Sequence, residues 1–180
     1  MELGEVIRKR YSVRKYADKE VEESKLLNVL NAARLAPSAR NMQEWRFIVV
    51  KNKELRKKIS IAANNQEFVA QAPVVIICCS VICDYIMRCG QKASPIDLAI
   101  AIDHMTLQAV NEGLGTCWIG SFYPEQVRQI AGIPENVEVV QMLTLGYPVQ
   151  QSIIEKNRLN LEEIYSEDCW SDKLFPKQKS

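Results

Sequence analysis

The chain has 180 residues, 47% of them hydrophobic and 25% charged, the length and composition of one globular domain. This excludes a two-domain enzyme, a coiled coil and a disordered chain. With 23 Lys and Arg against 22 Asp and Glu, the formal net charge of +1 gives no global field for nucleic acid or an anionic membrane, so any anion site is local.

The first segment, Met1 to Lys15, is charged throughout and does not read as a leader peptide. Within it Leu3, Val6 and Ile7 recur at helical spacing, which predicts a short helix over 2–10 ending in Arg8, Lys9 and Arg10. A second helix begins near Glu22, with Leu26, Leu27, Leu30 and Ala33 on one face, and ends before Pro37, because the residue preceding proline disfavours the α region. Residues 37–43 form a polar loop, 45–51 a strand and 55–63 a helix. The continuous apolar run Val74 to Cys79, bounded by Pro73, predicts a strand covered on both faces and is far below the roughly 20 residues of a membrane span. From Pro95 to Gly113 nearly every residue is apolar or small, so a central helix buried all round is expected. Strands follow at 116–120 and 139–145, separated by a short helix that Pro124 opens and Gly132 caps. After Gly146-Tyr147-Pro148 the chain turns polar, and 159–180 reads as an extended tail with one helical turn around Leu161 to Tyr165. The irregular alternation of helices and strands indicates a layered α+β or α/β domain.

Four clusters carry chemical potential. Arg8-Lys9-Arg10-Tyr11-Ser12-Val13-Arg14-Lys15 places five cations and a hydroxyl in eight residues. Guanidinium forks, a short hydroxyl and backbone N–H groups are what a phosphate needs, although a solvated basic turn explains most charge runs. If 10–14 is extended, Arg10, Ser12 and Arg14 point the same way. Ala36 to Trp45 offers amides and hydroxyls for the polar edge of a heteroaromatic ring, or a turn capped by its own side chains. Gly113 to Gly120 fails as a dinucleotide fingerprint, because it closes a helix and opens a strand, and fails as a P-loop, because Ser121 stands at the lysine position. What remains is a glycine-flanked strand able to lie against a planar ligand. Lys156-Asn157-Arg158 adds two late cations.

Metal and nucleophile chemistry finds little support. The single histidine, His104, sits beside Asp103 on the apolar helix and reads as a hydrogen-bonded structural residue. Cys78, Cys79 and Cys83 lack C-x-x-C spacing and read as small buried hydrophobes, while Cys117 is the thiol nearest a suspected ligand. No Ser or Cys triad is available. A cytoplasmic protein with free thiols is expected.

Taken in order, these segments resemble the FMN-dependent nitroreductase family from about residue 3 to Trp170. Its R-x-S-x-R start is met by Arg10 to Arg14, its A-P-S-x-x-N-x-Q-P-W loop by Ala36 to Trp45 with Glu44 where proline is usual, its G-L-G-x-x-W-I-G strand by Gly113 to Gly120, and its L-G-Y-P by Leu145 to Pro148. The resemblance implies an α+β fold with a central, mostly antiparallel sheet flanked by helices, an intertwined homodimer, FMN at the subunit interface, and hydride chemistry that belongs to the flavin. It divides the chain into one FMN-binding domain, 1–158, and an extension, 159–180, that wraps the partner subunit. It implies that Arg10, Ser12, Lys156 and Arg158 hold the FMN phosphate, with its charge of about −1.5 to −2. Arg14 would sit near the pyrimidine edge of the ring; Pro37, Ser38 and Asn41 would line the flavin of the other subunit; and Trp118, Ile119 and Gly120 would cover one face. An amide from Gln66, with Asn65 as the alternative, would contact the ring. The implied reaction is ping-pong hydride transfer from NADH or NADPH to a nitroaromatic, quinone or similar acceptor, with no nucleic acid or membrane partner. Competing readings are a specialised flavin enzyme of the same fold, dehalogenating or flavin-consuming and fed by another reductant, and a non-enzymatic module binding a flavin or another phosphate ligand.

Overall fold

In the computed structural model, which describes residues 1–150, 156–171 and 174, four strands form one antiparallel sheet. They are β1 (Trp45–Val50), β2 (Val74–Ser80), β3 (Gly115–Ile119) and β4 (Glu138–Gly146), in the order β1-β2-β4-β3. All seven residues of β2 are buried, as its unbroken run Val74-Val75-Ile76-Ile77-Cys78-Cys79-Ser80 predicts for a strand covered on both faces. Alternate residues serve the two sides. Val74, Ile76 and Cys78 join Leu143 and Leu145 under one helical layer, while Val75, Ile77 and Cys79 join Cys117, Ile119 and Met142 under the other.

The first layer consists of α2 (Glu23–Arg34) and α5 (Ala93–Asn111). In α2 the buried positions are Leu26, Val29 and Ala33. Leu27, expected on that face, is 54% exposed, because one helical step of about 100° carries it off the stripe that Leu26, Val29, Leu30 and Ala33 complete. Leu35 and Ala36 end the helix ahead of Pro37, as the proline requires. Helix α5 is not buried all round: one broad face (Leu98, Ala101, Ile102, Met105, Ala109) enters the core, whereas Ile96 is 41% exposed and Asp103 is on the surface. Small and apolar residues fill both sides of this helix, so its sequence does not distinguish the packed face from the open one.

The second layer holds α3 (Lys53–Ala62), α4 (Glu67–Gln71) and α6 (Pro124–Ala131). Helix α3 starts ahead of the expected Leu55 because Asn52 caps it, its side chain accepting the Leu55 N–H at 3.0 Å. Five-residue α4 is too short to show a periodicity and is fixed by tertiary contacts, including the Arg56 guanidinium donating to the Ala70 and Ala72 carbonyls. Helix α6 begins with Pro124 at its first turn and ends on Gly132 at φ 66°, as expected.

Helix α1 (Leu3–Lys9) leads into an extended segment that docks on the free edge of β3. Ser12 pairs with Thr116 in parallel sense, the Val13 N–H donates to the Thr116 carbonyl at 2.9 Å, and Tyr16 pairs with Pro148. The Tyr16 hydroxyl oxygen lies 2.7 Å from Thr144 Oγ1 and 3.0 Å from the Val13 carbonyl, which satisfies a phenol that burial holds far from ionisation. The tail carries a short 3-10 turn, Leu161–Glu163, capped reciprocally by Asn160 and Glu163, with Leu159, Leu161 and Ile164 exposed. Residues 172–173 and 175–180 of the expected wrapping extension lie outside the described residues. No described helix is long and apolar enough to cross a membrane.

The docking of residues 12–16 depends on missing side chains. A Cβ on Gly115 would stand 2.3 Å from Val13 Cγ2, and one on Gly146 would stand 2.5 Å from Pro73 Cδ. Gly115→Ala is therefore expected to destabilise the chain by about 1–3 kcal/mol in urea unfolding, with much of the loss recovered in a Val13→Ala background. Gly120→Ala, where a Cβ meets nothing within 4 Å, should stay within about 0.5 kcal/mol of the parent.

Candidate functional site

The site begins where α1 ends. Arg10 caps the helix through its N–H to the Val6 carbonyl at 2.9 Å and already has extended backbone. Side chains then alternate: Val13 is buried against the sheet, Arg10 and Ser12 are half-buried and Arg14 is exposed. Lys156 returns to the same place, its ammonium donating to the Ile7 carbonyl at the C-terminal end of α1, where the helix dipole favours cations. Partial burial, then the neighbouring Arg10 and Arg158 guanidinium charges, push the Lys156 ammonium below its ordinary value. Among the described residues, Arg10, Arg14, Lys156 and Arg158 have no carboxylate partner, whereas Lys9, Lys19, Lys51 and Lys57 each have one. Converging cations with no carboxylate partner among the described residues have the chemistry that an anion calls for.

Farther along β3 the surroundings change from charged to planar and open. The Arg14 guanidinium lies 5.9 Å from the centre of the Phe68 ring of α4. Gln66 donates both to the Ala63 carbonyl at 2.8 Å and to the Ser121 carbonyl at 3.0 Å, tying the α3–α4 turn to the end of β3. Asn65 is exposed at φ 56°. Trp118 is half-buried on the α5 side, and Ile119 is 1% exposed, so its side chain is engaged in the core and its backbone is what a ligand could use. Gly120 faces open space. Beneath this strand the Cys117 thiol is buried; burial pushes it up, while Arg14 and then Ser12 oppose the shift.

The third cluster lies elsewhere. Pro37 and Asn41 are exposed, and the Ser38 hydroxyl accepts the Gln43 N–H at 3.0 Å. The loop contains non-glycine residues with left-handed backbone at Arg40 (φ 55°), Asn41 (φ 56°) and Gln43 (φ 50°). It leads into β1, the edge strand opposite β3. Three strand spacings of about 4.8 Å separate these edges by roughly 14 Å within one chain. The structure thus gathers Arg10, Ser12, Arg14, Gln66, Trp118, Ile119, Gly120, Lys156 and Arg158 around β3 and keeps Pro37, Ser38 and Asn41 on the far side.

Other expectations meet mixed outcomes. Cys78 and Cys79 are buried, as expected for small hydrophobes, and burial pushes the Cys79 thiol up to about 11. His104 is half-buried on the α1–α2–α5 groove beside Leu107 and Asn111 and makes no hydrogen bond to a described residue, so a hydrogen-bonded structural role is not met there. Sequence reasoning missed Asp97, 4% exposed, whose Oδ2 accepts the Ala39 N–H at 2.8 Å and anchors the left-handed loop. An acidic residue inside an otherwise apolar helical face was the available signal.

A four-stranded antiparallel sheet flanked on both faces by helices, with a cluster of cations at one edge, is the class that fold and geometry define. The nitroreductase family model matches residues 7–65 and 59–147, and the chain belongs to that family. A protein of Methanothermobacter thermautotrophicus named as a candidate NADH dehydrogenase/NAD(P)H nitroreductase is 36% identical over 91% of this chain and 88% of its own length. The FMN reductase [NAD(P)H] of Bacillus subtilis is 29% identical over 88% of this chain and 70% of its own. The crystal structure of a nitroreductase family protein from Clostridium difficile 630 superposes with a TM-score of 0.84 at 36% identity, covering 94% of this chain and all of that one.

Inorganic phosphate should stabilise this chain by occupying the cation cluster. At ten times its dissociation constant the gain is about 1.4 kcal/mol, or roughly 3–5 °C in Tm, and Lys156→Ala should abolish the shift in a thermal melt.

Proposed function

We propose that the chain is an FMN-dependent oxidoreductase that uses NAD(P)H to reduce a small acceptor of the nitroaromatic or quinone kind. The observation that carries this reading is the group Arg10, Lys156 and Arg158, convergent and without a carboxylate partner among the described residues. Its chemistry fits the dianionic phosphate of FMN. The rest of the donor set fits as well: Gly120 leaves room where any side chain would intrude, Arg14 supplies positive charge beside an aromatic ring, and the half-buried Trp118 offers a planar wall. Membership of the nitroreductase family and the relatives named for NAD(P)H nitroreductase and FMN reductase activity support the same reading.

In this reading Arg10, Ser12, Lys156 and Arg158 bind the phosphate, and Arg14 biases the electronics of the ring. The Gln66 N–H groups already donate to Ala63 and Ser121, so its role is to hold the strand end beside Gly120, with its side-chain oxygen available to a ligand donor. FMN held by these residues would supply the hydride and electron-transfer chemistry, so the protein needs no triad. Pro37, Ser38 and Asn41 lie at the opposite edge of the sheet from the cation cluster. They serve the flavin of a second copy, which makes the functional unit a homodimer, with 1–158 as its binding domain and 159–180 as its embracing arm.

The purified protein is expected to be yellow and to release about one FMN per chain on heating. The FMN-loaded protein should oxidise NADH or NADPH in the presence of a quinone or nitroaromatic. A colourless protein that FMN cannot reconstitute, or turnover no faster than free FMN, would sink this reading. Arg10→Ala should weaken FMN binding by about 1.5–3 kcal/mol, roughly ten- to a hundredfold in Kd by fluorescence titration.

A further inference from the structure

Glu44 is 1% exposed, and neither of its carboxyl oxygens has a hydrogen-bond partner among the described residues. An ionised carboxylate in such a place is strongly disfavoured. The acidic group acting on it is Asp97 of α5, itself 4% exposed. Two ionised carboxylates cannot hydrogen-bond, but a single proton between them makes a short, charge-assisted bond. Asp97 Oδ2 already accepts the Ala39 N–H at 2.8 Å, whereas the Glu44 oxygens meet no donor among the described residues, so Glu44 is the acid that gains a partner by keeping its proton.

We propose that Glu44 is a neutral carboxylic acid at physiological pH, that it donates its proton to the Asp97 carboxylate, and that this pair positions the Ala39–Gln43 loop. Arg40, Asn41 and Gln43 have left-handed backbone, a strained state that persists only where its surroundings over-determine it. Three attachments do so: the Ser38 hydroxyl to the Gln43 N–H, the Ser38 carbonyl to the Asn41 N–H, and Asp97 to the Ala39 N–H. The last ties the loop to α5, and its acceptor is what Glu44 steadies. Glu44 stands where the family pattern usually has proline, so this chain uses an acid–carboxylate pair at a position where a ring ordinarily stiffens the backbone.

Among the described residues no cation pairs with either acid. Arg40 lies over the Tyr85 ring at 5.4 Å, Arg46 donates to the Gln43 and Trp45 carbonyls, and Asp84, Arg88 and Lys92 of the segment after β2 are exposed. Burial pushes the Glu44 carboxyl up, and the neighbouring Asp97 acts in the same direction. A carboxyl raised on folding contributes stability that is complete below its ordinary value of 4.5 and is lost as pH rises through the folded value.

The role of the loop rests on the flavoprotein reading, whereas the protonation of Glu44 does not, so the test separates them. Infrared spectra of the full-length protein across a pH titration should retain the carbonyl stretch of a protonated carboxylic acid at neutral pH, and Glu44→Gln should remove it. Asp97→Asn, which keeps an acceptor for Ala39 and offers Glu44 an amide donor, should shift the loss of that band to lower pH. In thermal melts the decline of Tm with rising pH above 4.5 should be shallower in Glu44→Gln than in the parent. The parent's FMN affinity should weaken, by up to about tenfold per pH unit, once Glu44 ionises, and the Glu44→Gln profile should lack that fall. A neutral-pH spectrum without the acid band, a band that survives Glu44→Gln, or a band midpoint unmoved by Asp97→Asn would overturn the proposal. Matching FMN pH profiles in parent and Glu44→Gln would overturn the positioning role. A protein that binds no FMN at any pH would overturn the functional reading, with the infrared result still deciding the state of Glu44.

Discussion

The contact between Val13 and the bare Cα of Gly115 is the constraint from which the rest of the site follows. Residues 11–16 can lie along β3 only because Gly115 and Gly146 present no Cβ where Val13, Pro73 and Tyr16 must pass. Once seated, the segment satisfies its backbone through Thr116 and Tyr147 and buries the Tyr16 phenol on Thr144. Its alternation then leaves Arg10, Ser12 and Arg14 outside, above a strand that runs from small residues at Gly115 to open space at Gly120. Lys156, more than a hundred residues away in the chain, joins this edge because α1 offers it a carbonyl at Ile7, and Arg158 follows two residues later.

The cations around β3 illustrate how a fold concentrates charge that a formal balance of +1 conceals. Elsewhere some surface lysines are paired, such as Lys9 with Glu5 and Lys57 with Glu54 at 2.7 and 2.9 Å, while Lys53 and Lys58 stand exposed without an ion pair among the described residues. Such exposed pairs contribute little to stability. Arg10, Lys156 and Arg158, by contrast, meet no carboxylate among the described residues, and the Arg10 and Arg158 charges add to burial in pushing the Lys156 ammonium down. The Glu44–Asp97 pair is the mirror case, in which two acids are buried without a cation and a single proton settles the conflict.

Much of the fold could be read along the chain, and the reasons are local. The fully apolar β2, the helix opened by Pro124 and closed by Gly132, and the stop ahead of Pro37 all express backbone preferences that need no partner. Helix α4 and the early start of α3 were overlooked, the first because five residues cannot show a period and the second because a single Asn52 cap set the boundary. Leu27 was assigned to the wrong side because neighbouring leucines at 26, 27 and 30 leave the centre of the apolar stripe undefined by a residue or so.

The chemical types at the site were likewise present in the sequence: an R-x-S-x-R run, a polar loop ahead of Trp45, a glycine-flanked strand and a late pair of cations. Those patterns depend on residue identity and short spacing, which covalent order preserves. Which patterns meet was decided by strand order, since β1 and β3 occupy opposite edges and carry the loop and the basic segment apart. The burial of Glu44 against Asp97 was decided the same way, by the packing of α5 over the start of β1, because proximity between residues 53 positions apart is a property of the folded chain and of no local preference.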